Sequence, residues 1–271
     1  MRMRKGLVHL RWLVFATAFY VGFASGAGKL WSEDLWWHLQ TGRLIVTEQA
    51  IPDADPFSYT RPGAPWIAHE WGYEVLLYLA YAAAGWAGII CLQALMVGVT
   101  TLLAAHLAIR WGAGLIPALV AAIVLSYAVG PWVNARPQML DMIGVLVILH
   151  LLTSYQEGRP RTLWWLPLVF LLWVNTHGAF PAGWVLVAFY GLCRGLQSPS
   201  DDSRRRFFQL QPSVIKPLLL PLLASVLVTI INPNLLEGVL YPITYLIGEN
   251  AYYSGIVLEF TSPDFHQPAF L

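Results

Sequence analysis

Seven apolar runs dominate the chain and restrict it to folds that can show such surface to something other than water. They cover residues 7–26, 86–109, 114–132, 139–152, 163–174, 179–193 and 217–231. Most lie near or somewhat below the ~20 residues a helix needs to cross a bilayer. Charged residues make up 11% of the 271 and the mean hydropathy is +0.57, whereas an ordinary soluble domain is about 25% charged. The expectation is an all-α protein, a polytopic transmembrane helix bundle of about seven spans, with residues 1–271 forming a single module in the lipid bilayer.

Basic residues near span ends stay on the cytoplasmic side, which orients the bundle. With the N-terminus cytoplasmic, twelve of the sixteen Lys and Arg residues fall inside, and Lys29, Arg43, Arg61 and Arg136 fall outside. Eleven of the fifteen carboxylates lie outside, so the formal net charge of +1 conceals a polarised molecule. The expected location is the plasma (inner) membrane, as a multi-pass protein. A cleaved signal peptide competes for the first segment, since residues 1–5 are basic and Ala24, Ser25 and Gly26 are small; an apolar segment heading further spans is more often retained as an anchor. Cys91 and Cys193 fall near opposite membrane faces, beyond the roughly 7 Å Cα separation a disulfide needs, and are expected as two buried free thiols.

The loop over 29–72 differs from everything around it. It holds Glu33, Asp34, Glu48, Asp53, Asp55 and Glu70, together with His38, His69 and tryptophans at 31, 36, 37, 66 and 71. Leu35, Leu39, Gly42 and Ile45 recur at helical spacing, which predicts an interfacial helix on the outer face with Asp34 and His38 one turn apart on one side. Prolines and aspartates over 52–65 predict turns, and a second amphipathic piece over 69–84 leads to Gly85. Residues 197–211 read as a flexible cytoplasmic loop, and 232–271 as an outer C-terminal segment.

Span length carries a further expectation. Arg161 and Arg194 both belong inside, so the residues between them cross twice in about 16 each, or ~24 Å against a ~30 Å hydrocarbon core. Asn175, His177 and Gly178 should then be recessed below the outer surface, as should Asn232 and Pro233. Irregular polar backbone at that depth is tolerated where it lines protein or a wet cavity, so an outward-opening cleft is expected.

Several residues carry two readings. Glu33 and Asp34 either cap a helix or supply a carboxylate base at the bilayer surface. Arg136 either snorkels or grips a phosphate, with Asp141 as its ion-pair partner or as a favourable acid in a first helical turn. His177 is either a hydrogen-bonded structural histidine or a group for phosphate contact or proton transfer. His69 and Glu70 form a metal or catalytic pair or an N-terminal cap. The residues demand no cofactor, and zinc has no His-x-x-x-His or Cys signature; Mg²⁺ or Mn²⁺ between Asp34 and Asp55 is the metal arrangement they admit. No phosphate loop, nucleotide fingerprint or nucleophile elbow is present, and no nucleic-acid partner is expected.

The run Glu33-Asp34-Leu35-Trp36-Trp37-His38-Leu39 with Gly42, followed by Asp55-Pro56-Phe57-Ser58-Tyr59-Thr60 and His69-Glu70-Trp71, resembles the first outer loop of bacterial GT-C type integral membrane glycosyltransferases. Arg136-Pro137-Gln138, Asn175 with His177-Gly178, and Asn232-Pro233 resemble later positions of the same mannosyltransferase-like group. The resemblance implies a transferase that passes a sugar from a polyprenyl-phosphate donor to a glycan, lipid or protein acceptor on the non-cytoplasmic side. It implies Asp34, with Glu33 beside it, as the catalytic acid pair, Asp34 being the base. His38, His69, Glu70, Arg136, Gln138, His177 and Asn232 follow as substrate-binding residues. Such enzymes generally continue through more spans, so the chain corresponds to their N-terminal seven-span module, as a fragment or a short form. A transporter or lipid flippase is the alternative class, for which a polar recessed cavity is equally natural; a catalytically silent scaffold is the third.

Overall fold

The computed structural model describes residues 2–30, 32–129, 135–196 and 212–247. The 197–211 loop and the part of 232–271 after residue 247 lie outside the described residues. Within them all regular structure is helical, apart from one isolated bridge between Ala54 and Pro65. The helices are α1 (Arg2–Gly26), α2 (Leu35–Glu48), α3 (Trp71–Arg110), α4 (Leu115–Val129), α5 (Gln138–Gln156), α6 (Leu166–Val174), α7 (Pro181–Gly195), α8 (Pro212–Val228) and α9 (Leu235–Ile247). A 3₁₀ stretch, Pro160–Trp165, leads into α6.

Each apolar run is helical over most of its described residues, the conformation in which a segment satisfies its own backbone groups without help from water. Helices α3 and α5 are long and apolar enough to cross a membrane, whereas Leu115–Val129, Pro160–Val174 and Pro212–Val228 are apolar but shorter. A 15-residue helix reaches only ~22 Å. The side chains are arranged in reverse to a water-soluble helix. In α4, Ala118, Ala122 and Ser126 face inward, while Ile116, Val120, Val124 and Tyr127 face out, with Ile116 77% exposed. Helix α1 does the same, burying Ala18 and exposing Trp12, Leu13 and Tyr20. Small residues inside let helices approach closely, and large apolar residues outside suit an apolar surrounding. Cys91 and Cys193 are free as expected, but exposed rather than buried. Run composition alone carries no information about which face of an all-apolar helix turns inward.

Helix α3 is the organising element, with α1, α2, α4 and α5 packed on it, while α8 packs on α6 and α7. Ala84 and Gly85 leave helical geometry, Gly85 with φ 58°. A positive φ suits glycine, which has no Cβ to clash. The break divides α3 into an N-terminal amphipathic piece and the apolar run from Trp86. Among the described residues the buried apolar side chains form two large clusters and a small one. Leu35, Tyr73, Leu77, Ile89 and Met139 belong to the first, and Ile148, Leu152, Phe170, Phe180 and Val187 to the second, so α5 contributes to both, while Ala18, Ala105 and Ala122 join α1, α3 and α4 in the third. Near the far end of α3, Arg110 binds Glu157, Ser154 and the His150 carbonyl, pinning α3 to α5.

Candidate functional site

Helix α2 lies against the start of α3 because residue 42 is glycine. A Cβ there would stand 1.9 Å from the Glu74 carbonyl oxygen, so any other side chain would hold the helices apart. His38, one turn earlier, is thereby pressed onto the first turn of α3. It is 2% exposed, with Nδ1 3.2 Å from Glu74 Oε1 and 3.6 Å from Glu70 Oε2. The expected helix is present over Leu35–Glu48, but Asp34 and His38 do not share an environment: Asp34 is half-exposed, and His38 is buried among carboxylates of α3.

Asp34 occupies the N-cap of α2 and makes no capping hydrogen bond. Its carboxylate turns to Arg136 instead, whose Nε donates to Ser32 Oγ at 3.0 Å. Arg136 stands just before α5, so this pair joins the loop between α1 and α2 to the start of α5. Glu70 repeats the pattern, occupying the N-cap of α3 without a capping bond. Neither acid serves the helix end that its position suggests.

Asp141 is not the partner that its place one turn after Arg136 suggests. It accepts from Trp173 Nε1 at 2.7 Å, and its oxygens lie 2.7 and 2.9 Å from His177 Nδ1. Both partners come from α6 and the turn that follows it, on the side of α5 that Asp141 occupies. The Nε2 atoms of His177 and His69 lie 3.4 and 3.5 Å from Glu70 Oε1. A continuous set follows: Glu74, His38, Glu70, then His69 and His177, then Asp141. Burial works against a charged His69, but its contact with Glu70 outweighs burial and raises its pKa. Burial likewise pushes Glu70 up, and His69, then His38 and His177, more than reverse it, leaving that carboxyl below its ordinary range.

Asn175 braces the site from below. Its Oδ1 accepts from Trp71 Nε1 and its carbonyl from the Gly72 amide, both at 2.9 Å. Its Nδ2 donates to the carbonyls of Ile231 and Leu171 at 2.9 and 2.8 Å. One amide therefore joins the start of α3 to the ends of α6 and α8. A hollow of about 480 Å³ lies beside it, between Trp71, Ile231, Asn232 and Leu235. Asn232 borders this hollow with its amide engaged in its own turn, donating to Thr229 and Leu235 carbonyls and accepting from the Asn234 amide. It shapes the wall rather than offering free hydrogen-bonding groups. Gln138 is exposed at the start of α5, and Glu33 is exposed beside Asp34.

Asp55 forms a turn, accepting from the Phe57 amide, the Ser58 amide and the Ser58 hydroxyl. The Ser58 hydroxyl and then the two amides hold its carboxyl below the usual range. With Asp55 engaged there and Asp34 on Arg136, the pair admitted for Mg²⁺ or Mn²⁺ is divided between two tasks. Among the described residues, the group of three His, Cys, Asp or Glu ligand atoms lying within 4.8 Å of one another is His38, Glu70 and Glu74.

Glu74 is the member that reading along the chain missed. Two signals point to it: it is the sole acid within α3, and it follows Glu70 by four residues, which places both on one helical face. No protein-family model, curated protein or solved structure matches the chain.

Proposed function

We propose that the protein is a polytopic membrane glycosyltransferase of the GT-C type, crossing the bilayer seven times with its N-terminus cytoplasmic. In this reading it moves a sugar from a polyprenyl-phosphate donor to a glycan, lipid or protein acceptor on the non-cytoplasmic side. The observation that carries the reading is the pairing of Asp34 with Arg136. A carboxylate and a guanidinium, brought from the outer loop and the bundle, meet where an acceptor from water and a lipid-anchored donor would both arrive.

The chemistry needs few groups. The acceptor hydroxyl oxygen attacks the anomeric carbon, the bond from that carbon to the phosphate oxygen breaks, and the phosphate leaves with the electron pair. Asp34 takes the acceptor proton, and Arg136 meets the charge on the departing phosphate. Before the donor binds, Arg136 holds Asp34. An incoming phosphate competes for the guanidinium, because its oxygens match the planar fork, and frees the carboxylate for proton transfer. His69 and His177, whose side chains are 24% and 15% exposed, are the imidazoles of the cluster open enough to reach substrate hydroxyls.

Membranes containing the chain, incubated with labelled polyprenyl-phosphate sugars, should yield labelled product. Asp34→Asn should lower that transfer by roughly 10²-fold or more while the folded yield is kept. Equal transfer by the variant and the parent would reject Asp34 as the base.

A further inference from the structure

We propose that His38, Glu70 and Glu74 bind a transition-metal ion of the Zn²⁺ class, in a site buried between α2 and the first turn of α3. This site is separate from the Asp34–Arg136 pair, and holds whether or not the protein transfers sugar.

Spacing is the first observation. Charge-assisted hydrogen bonds between imidazole and carboxylate run about 2.7–2.9 Å, and His177 with Asp141 falls in that range at 2.7 Å. The His38 Nδ1 contacts are longer, 3.2 Å to Glu74 and 3.6 Å to Glu70. Ligand atoms bonded at about 2.1 Å to a tetrahedral zinc stand about 3.4 Å apart. The two observed distances straddle that value, and all three ligand atoms lie within 4.8 Å of one another.

The second observation is an unused atom. Glu74 is 1% exposed, and its Oε2 has no hydrogen-bond partner. A buried carboxylate oxygen without a donor is destabilising, so native proteins normally supply a donor or a cation. Tyr73, whose ring meets His38 edge-on at 6.1 Å, likewise has a buried hydroxyl without a partner.

Charge points the same way. Glu70 and Glu74 are both buried and share His38, while His69 and His177 meet only the other oxygen of Glu70; a divalent cation between Glu70 Oε2 and Glu74 would neutralise both carboxylates at once. Glu70 would use Oε2 for the metal, leaving Oε1 to His69 and His177. Metal-binding carboxylates are commonly held by such outer partners. One imidazole nitrogen with two carboxylate oxygens selects Zn²⁺, Co²⁺ or Mn²⁺ over Mg²⁺, which prefers an all-oxygen shell and keeps its waters. Three protein ligands leave a fourth position for water or a substrate oxygen.

The test uses the full chain, untagged, purified in detergent, stripped with chelator and titrated with Co²⁺ as a coloured stand-in for Zn²⁺. Visible d–d absorption of a four- or five-coordinate ion should saturate at about one equivalent, and Zn²⁺ should bleach it while excess Mg²⁺ does not. Zn²⁺ should also raise the unfolding temperature. Glu74→Gln, which keeps volume and removes the charge, and His38→Ala should weaken binding more than the roughly 10–100-fold that losing an outer partner costs. Asp34→Asn should bind Co²⁺ as the parent does even where transfer is lost, which separates this site from the proposed chemistry. Absence of the Co²⁺ spectrum in folded parent protein would overturn the proposal, leaving a proton-neutralised His–Glu network only. Unchanged binding in both ligand variants would overturn it equally, and if neither variant folds, the parent titration alone decides.

Discussion

Asp141 holds His177 through Nδ1, 2.7 Å from Oδ2, and thereby turns the Nε2 of that imidazole toward Glu70. The second nitrogen of a histidine is set by the bond that the first one makes. Asp141→Asn should loosen this orientation and lower transfer by about 10-fold or more with folded yield kept, a range typical of lost second-row support. Asp141→Ala should do more, because Trp173 Nε1 also loses its acceptor; a further loss of about 1–3 kcal/mol is expected in thermal or denaturant unfolding. Parent-like transfer by Asp141→Asn would show that His177 needs no such hold.

Arg136 offers a different split. If the guanidinium grips the donor phosphate, Arg136→Ala should raise the donor KM by about 10- to 100-fold, the equivalent of one charged hydrogen bond. Arg136→Lys should fall between, retaining the charge and losing the fork. A variant series that lowers protein yield without moving the donor KM would assign Arg136 to tying the loop alone.

Gly42 tests the docking of α2. With the Glu74 carbonyl 1.9 Å from where a Cβ would sit, Gly42→Ala must push the helices apart, at a cost of about 1–3 kcal/mol or more. Thr47→Ala on the exposed end of the same helix removes only local bonds to Arg43 and Leu44 and should stay within about 0.5 kcal/mol. Equilibrium unfolding of the two variants side by side checks both, and equal stability would contradict the tight approach.

The turn at Asp55 supplies the pH prediction. Its carboxyl is held below the ordinary value by Ser58 and the Phe57 amide, so the ionised form is the one the fold favours. The stabilisation is fully present above the unfolded pKa and is lost as pH falls through the depressed folded value. Amide exchange at Phe57 and Ser58, corrected for intrinsic rates, should therefore lose protection only on acidification. Asp55→Ala should show the unprotected level throughout. Protection that is flat with pH in the parent would remove Asp55 as the anchor of that turn.

Much of the scaffold was legible along the chain, because hydrophobic periodicity and chain-breaking residues act over a few neighbours. The buried stripe of α2, with Leu35, Gly42 and Ile45, follows from helical spacing. So does the change of character at Gly85, where a positive φ ends one helical piece and begins the next. The concentration of acids and histidines in 29–72 marked the region of interest by composition alone. The partners were a different matter. Asp34 had a local candidate role as a cap and Asp141 a local candidate partner in Arg136, and in both cases the side chain took a distant group instead.

Sequence by itself determined that the chain is helical, that long apolar runs supply most of its helices, and that six of its fifteen carboxylates lie between α1 and α3. Tertiary structure alone decided that His38 meets Glu70 and Glu74, that Asp34 faces Arg136 and that His177 closes on Asp141. The physical reason is range: helix formation and apolar patterning depend on residues three or four apart, whereas His38 and Glu74 are 36 apart. Their meeting depends on how closely two helix backbones pack, which here turns on the missing side chain of Gly42.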